Sequence, residues 1–290
     1  MMRTEKEMLN LILHTAQEDD RIRAVIMNGS RANPAAPRDP FQDYDIVFFV
    51  TDVRSFKADP TWIHRFGDLM ILQLPEEMQD PPPAIDNGFA YLMQFTDGNR
   101  IDLGLYPLEK IPDRTRDSLT VPLLDKDGIL GSLPPSSEDS YLPGPPTARK
   151  FADCCNEFWW VCPYAAKGLW RRQIIYARFF MDCVLREELM KMLVWYIGWK
   201  TEYSVNPGKF GKYFSKYLEP ELWTLLLQTY SGPGLTETWD SLMAMGNLFR
   251  RIAVPIADQL DFAYPAEDDR RVCAHLEHVR NLSPQASKIY

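Results

Sequence analysis

Asp43-Tyr44-Asp45-Ile46-Val47-Phe48-Phe49-Val50 opens with two carboxylates one residue apart and continues as an unbroken apolar run. On a strand, side chains at i and i+2 point to the same face, so Asp43 and Asp45 converge. The apolar run predicts the buried strand that carries them. Two adjacent negative charges are costly unless a cation compensates them, and Mg²⁺ is a hard cation that takes oxygen ligands.

Working outward, Arg23-Ala24-Val25-Ile26-Met27 reads as a strand ending at Asn28-Gly29-Ser30. Twelve residues separate Ser30 from Asp43. A strand-to-helix turn with small residues lets backbone N–H groups approach a phosphate closely. A third carboxylate, Asp102, lies in Arg100-Ile101-Asp102-Leu103-Gly104-Leu105-Tyr106. It alternates with Ile101, Leu103 and Leu105, so it projects away from their core-facing side. If that strand neighbours the Asp43/Asp45 strand, the three carboxylates meet. Asp102 would then bind metal, accept a proton from an attacking hydroxyl, or do both. The competing reading is bland: an isolated Asp-x-Asp is more often a solvated turn or cap, and Gly-Ser before a helix is ordinary.

The rest of the chain divides in two. Residues 4–18 have helical apolar spacing, and further strands are predicted at 68–74, 89–95, 100–106 and 120–124, with a turn at Asp97-Gly98-Asn99. Residues 134–146 belong to a Pro- and Ser-rich stretch that reads as a linker. Beyond it helices are expected at 147–167, 169–198, 219–230, 236–261 and 266–280. The predicted class is α+β: an N-terminal domain over 1–133, with a mixed β-sheet flanked by helices, and a C-terminal α-helical bundle over 147–290.

Of 290 residues, 46% are apolar and 12% aromatic, enough for a substantial core. Residues 1–133 carry 22 acidic and 14 basic side chains, whereas 134–290 carry 18 of each. An acidic first half disfavours nucleic acid and suits metal ions and a small cationic partner. No apolar run is long enough to span a bilayer, and the first seven residues lack the apolar stretch of a secretory signal. Five cysteines without CxxC spacing suggest reduced thiols, so a cytoplasmic location is expected. Nothing indicates an assembly, and a monomer is favoured. His275, His278 and Cys273 share a late helix at a spacing that makes no convincing zinc site.

The Gly29-Ser30 and Asp43-Tyr44-Asp45 spacing matches the polymerase-beta-like nucleotidyltransferase superfamily. More specifically, the chain resembles the aminoglycoside 6-adenylyltransferases, the streptomycin-modifying enzymes, over nearly its whole length. The resemblance rests on Met27-Asn28-Gly29-Ser30-Arg31-Ala32-Asn33, Asp43-Tyr44-Asp45-Ile46-Val47, Cys154-Cys155-Asn156-Glu157-Phe158-Trp159-Trp160-Val161, Ala166-Lys167-Gly168-Leu169-Trp170-Arg171 and Gly208-Lys209-Phe210-Gly211-Lys212-Tyr213. Asn28 departs from the apolar residue usual in the superfamily.

The resemblance implies an N-terminal nucleotidyltransferase domain and transfer of AMP from ATP to a streptomycin hydroxyl, at the 6-position, with release of pyrophosphate and antibiotic resistance as the outcome. It implies Mg²⁺ at Asp43 and Asp45, with Asp102 as base and further ligand, and a site that needs both domains. Gly29, Ser30 and Arg31 would face the nucleotide, Arg31 with a helix-surface role as the alternative. Related enzymes use a C-terminal Lys and Tyr on ATP, which points to Lys209 or Lys212 and to Tyr230. Lys167 either reaches the triphosphate or lies along the surface. Lys209 and Lys212 either clamp phosphates or form a solvated basic loop; they are not a Walker A motif.

A polycationic acceptor needs carboxylates, and the candidates are Glu157, Asp182, Glu187 and Glu188. Glu157, beside Phe158-Trp159-Trp160, is expected to be partly buried and paired. Asp182 follows Arg178 at ion-pair spacing, and Glu187-Glu188 near Lys191 suits a solvated face. Two other functions compete: the same chemistry on another acceptor (another aminoglycoside, a lincosamide, tRNA or a protein), or a non-catalytic nucleotide-binding sensor.

Overall fold

A computed structural model describes residues 1–230 and 232–290. The chain forms two compact units, Met1–Ser140 and Tyr141–Tyr290. The division falls within the Pro/Ser-rich stretch. The first part of that stretch is tied down rather than free. Ser136 donates to the Ala32 carbonyl (2.7 Å), and Glu138 accepts from the Asn33 amide (2.8 Å).

The N-terminal unit contains helices α1 (Glu5–Glu18), α2 (Gly29–Ala32), α3 (Val53–Lys57) and α4 (Ile111–Arg114). Its strands are β1 (Ile22–Asn28), β2 (Tyr44–Val50), β3 (Leu69–Gln73), β4 (Phe89–Phe95), β5 (Arg100–Pro107) and β6 (Val121–Asp125). A capping box starts α1: Thr4 Oγ1 accepts from the Glu7 amide, and Glu7 returns a bond to the Thr4 amide. The helix then buries Met8, Ile12, Thr15 and Ala16.

The six strands form one mixed sheet in the order β3-β4-β5-β2-β1-β6. Only β2 and β5 run parallel; the other neighbours are antiparallel. Alternation decides which residues reach the core. Tyr44, Ile46 and Phe48 of β2, Tyr91 and Met93 of β4, and Ile101, Leu103 and Leu105 of β5 are buried together with Trp62 and Phe66. Trp62 meets Phe56, Phe66 and Tyr91 edge-on, the arrangement aromatic quadrupoles favour. The intervening residues of β2 and β5 therefore face the other way, and they include Asp45 and Asp102.

The C-terminal unit is helical: α5 (Ala148–Trp170), α6 (Ile174–Phe179), a π-helical segment (Phe180–Leu185), α7 (Arg186–Lys200), α8 (Phe214–Tyr217), α9 (Pro220–Gln228), α10 (Leu235–Leu260) and α11 (Ala266–Asn281). Phe158 stacks on Phe249 at 3.9 Å between centroids, with Trp159 edge-on to both, locking α5 to α10. The expected break near residue 168 lies later. Gly168 stays inside α5, with Tyr176 and Ala177 packed where its Cβ would stand, and the turn comes at Arg172, at φ 59°. Cys154, Cys155 and Cys162 are buried free thiols. Among the described residues no helix is long and apolar enough to cross a membrane.

Candidate active site

The sheet register brings the predicted carboxylates together. Asp45 is the Cα partner of Asp102 across the parallel β2/β5 pair, and of Asn28 across β1/β2. Asp43 precedes β2 by one residue. Arg100, two residues before Asp102, shares its face and lies among the carboxylates. Its Nε and Nη2 donate to the two oxygens of Asp102, each at 2.8 Å, and its Nε is 3.6 Å from Asp43 Oδ2. Asp43 and Arg100 are more than one-third exposed, Asp102 about one-fifth. Burial pushes the Asp43 carboxyl above its usual range; Arg100 pulls it back, and Asp102 adds to the rise.

Position 29 is fixed by two requirements. Its φ is +70°, a conformation glycine adopts without strain. A Cβ there would lie 1.9 Å from Asp45 Oδ2, so the carboxylate presses against bare backbone. Ser30 follows in the first turn of α2, and its carbonyl accepts from the Gln42 amide at 3.2 Å. Asn28 ties the same end of β1 to the approach to β6, donating to Thr120 Oγ1 at 2.7 Å and to the Leu119 carbonyl. The unusual residue at position 28 thus anchors the turn.

Arg31 is placed differently from a nucleotide-facing residue. Its side chain is buried, donates to the Gln42 carbonyl (2.8 Å), pairs with Glu5 (3.1 Å) and stacks 3.9 Å over the Tyr44 ring. It braces the loop that delivers Asp43.

A cavity of about 350 Å³ opens over this face of the sheet. Asn28, Asp45, Asp102 and Tyr106 line it, with Asp113, Arg114 and Asp117 from the α4 region. Arg114 stacks on the Tyr106 ring at 3.7 Å. Among the described residues no three Asp, Glu, His or Cys side chains stand in a metal-holding arrangement, and Arg100 occupies both oxygens of Asp102. Arg100 and the α4 residues are absent from the sequence-based expectation. Arg100 was findable, because i−2 of Asp102 on a strand must share its face; the α4 residues carry no local pattern that points to the site.

In the C-terminal unit the candidates are dispersed. Lys167 is exposed, 4.8 Å from the Tyr164 ring, and lines a pocket between α5 and α11 that does not include Lys209, Lys212 or Tyr230. Lys209 and Lys212 are exposed around the Gly208–Gly211 turn, each over a neighbouring aromatic ring. Tyr230 is half-exposed beneath the Arg186 guanidinium at 3.9 Å. Glu157 is exposed, contrary to the expected burial, because one helical step of about 100° carries it off the buried face that holds Phe158. Asp182 pairs with Arg178 at 2.8 Å. Glu188, expected on a solvated face, is turned inward and held by Lys191 at 2.8 Å.

A family model described as streptomycin adenylyltransferase matches residues 2–279. The chain is 43% identical over 270 residues to an aminoglycoside 6-adenylyltransferase of Campylobacter jejuni, covering 93% of each. It is 41% identical over 270 residues to one of Bacillus subtilis (strain 168), covering 92% of this chain and 95% of that protein. A crystal structure of an aminoglycoside 6-adenyltransferase from Bacillus subtilis is 36% identical, with TM-score 0.48, over 97% of this chain and all of that one.

Proposed function

The chain belongs to the streptomycin adenylyltransferase family, and we propose that it moves AMP from ATP to a hydroxyl of an aminoglycoside, the 6-position of streptomycin, releasing pyrophosphate and conferring resistance. The observation that carries this reading is the β2/β5 register, in which Asp45 and Asp102 are partners with Asp43 at the strand's start.

The donor chemistry suits Mg²⁺, and the set would close around the ion once Arg100 gives up Asp102. It is all carboxylate oxygen, and three carboxylates with one guanidinium between them leave a net charge of −2 for a divalent cation to balance. Asp43 and Asp45 would hold the ion, with Asp102 completing the set when Arg100 shares or releases it. Bound there, Mg²⁺ would offset charge on the α-phosphate and orient it.

The chain's own residues do the rest. The Gly29-Ser30 turn offers backbone N–H groups to the triphosphate, with no side chain at position 29 to block the approach. Asp102 accepts the proton of the attacking hydroxyl. Arg100 orients Asp102 until substrates arrive. Asp113 and Asp117, with Arg114 between them, leave this wall net negative, which suits a cationic acceptor. Lys209 and Lys212 carry the positive charge, and Tyr230 the hydroxyl, that a triphosphate contact needs, and Glu157, Asp182 and Glu188 carry the negative charge that an acceptor contact needs; variants at each decide these roles.

The test is mass spectrometry of streptomycin after incubation with the enzyme, ATP and Mg²⁺. A gain of one AMP on the drug supports the reading. An AMP on a different acceptor, or nucleotide binding without transfer, overturns it.

A further inference from the structure

A cavity lined entirely by residues of the C-terminal unit shares no residue with the acidic site. It measures about 1080 Å³, near the upper end of small-ligand pockets. Its floor and walls are aromatic: Trp159, Trp160, Tyr164 and Trp170 on α5, with Tyr264 just before α11. The C-terminal segment closes one side. Tyr290 stacks on His278 at 4.6 Å and meets His275 Nδ1 at 2.7 Å, which seats Ser287, Lys288 and Ile289 along the wall.

Two features separate this pocket from ordinary core. First, its charges are mostly of one sign. Lys167, Arg171 and Lys288 line it without a carboxylate in ion-pair range among the described residues, and Arg271 adds a fourth cation, paired to Glu267 at 2.7 Å. Asp268 is the one lining carboxylate. Such a rim repels a polycationic drug and attracts an anion. Second, Trp160 is 64% exposed where it borders the cavity. Its ring carries the aromatic lining of the cavity out to the surface.

We propose that the α5–α11 pocket is a second ligand site, sharing no lining residue with the acidic site, and that it takes a flat aromatic molecule bearing a single anionic group. The ring system stacks among the tryptophans and tyrosines. The anion meets Lys167 and Arg171, which stand a helical turn apart at the end of α5. Aromatic stacking and cation pairing each require the other here, since the walls are apolar and the cations lie at the rim.

The experiment uses the full chain and the fluorescent probe 8-anilinonaphthalene-1-sulfonate, an aromatic ring system with one sulfonate. The expected result is saturable one-to-one binding with energy transfer from tryptophan. The neutral analogue N-phenyl-1-naphthylamine should bind at least tenfold more weakly. The double variant Lys167→Glu/Arg171→Glu should weaken the anionic dye at least tenfold, and Trp160→Ala should reduce the energy transfer. Both cations are exposed, so circular dichroism should be unchanged; if it is not, the comparison of the two dyes on the unmodified chain decides. Equal binding of the two dyes, or unchanged binding by a folded charge-reversal variant, would overturn the proposal. Competitive displacement by ATP would also overturn it, by making the pocket part of the nucleotide site.

Discussion

Gly29 and Asp45 are in contact through an atom that no other residue could leave out: a Cβ at position 29 would stand 1.9 Å from Asp45 Oδ2. Any substitution must therefore push the carboxylate away from the sheet end, besides placing an L-residue at φ +70°. Gly29→Ala is expected to cost about 1 kcal/mol for the backbone and to lower AMP transfer at least a hundredfold. Gly128 is the matched control, with φ +67° and no atom within 4 Å of the point where a methyl would stand. Gly128→Ala should show a similar stability loss with near-normal turnover. Equal turnover for the two variants would refute the coupling of position 29 to Asp45.

Asp43→Asn and Asp45→Asn remove charge without changing shape. Both side chains are partly exposed, so the fold should survive, with far-ultraviolet circular dichroism unchanged. AMP transfer should fall below detection, and Mn²⁺ binding, followed by electron paramagnetic resonance, should weaken. Wild-type turnover in either variant would remove these residues from the metal site.

Arg100 sets the electrostatic balance of the cluster. Taking away one positive charge about 4 Å from the carboxylates should strengthen binding of a cation by about 1 kcal/mol, near fivefold, if the site is well solvated. Arg100→Gln should thus bind Mn²⁺ more tightly in the absence of nucleotide. Its turnover should nonetheless drop, because Asp102 loses the partner that orients it. A lower Mn²⁺ affinity would show that Arg100 builds the site rather than competes within it.

Asp269 is expected to govern the acid stability of the helical unit. Burial alone would raise its carboxyl, but bonds from Arg250, Tyr264 and Cys273 outweigh this and hold it below the usual range. A depressed native pKa means that its stabilisation is present above the unfolded value, about 3.9, and is lost as pH falls through the native one. Asp269→Asn should cost about 2 kcal/mol at neutral pH, less than a fully buried pair because Arg250 is partly exposed. Its stability should also fall less steeply below pH ~4. Thermal melts across that range measure both effects, and parallel curves for the two proteins would contradict the assignment.

The sheet was legible because its signals are local. The eight residues from Asp43 carry their own strand pattern, and the alternation around Asp102 gives its facing. What period-2 reading cannot supply is pairing. Nothing in the sequence states that β5 lies beside β2, or that Arg100 takes both oxygens of Asp102. In the helical unit, neighbouring rings misled. Phe158 and Trp159 are buried, yet Glu157 is exposed, because one helical step turns a side chain through about 100°. Gly168 likewise suggested a break, whereas it serves close packing against Tyr176.

The lone parallel pair has a consequence for how the catalytic cluster comes into being. A tight turn can never join β2 to β5, and the stretch between them is used to make β3 and β4. A polypeptide emerging from the ribosome possesses no working centre until Pro107 has been laid down. Splitting the backbone anywhere between Thr51 and Asn99 severs the two contributors from each other, while cutting after Ser140 leaves all three acids on one piece.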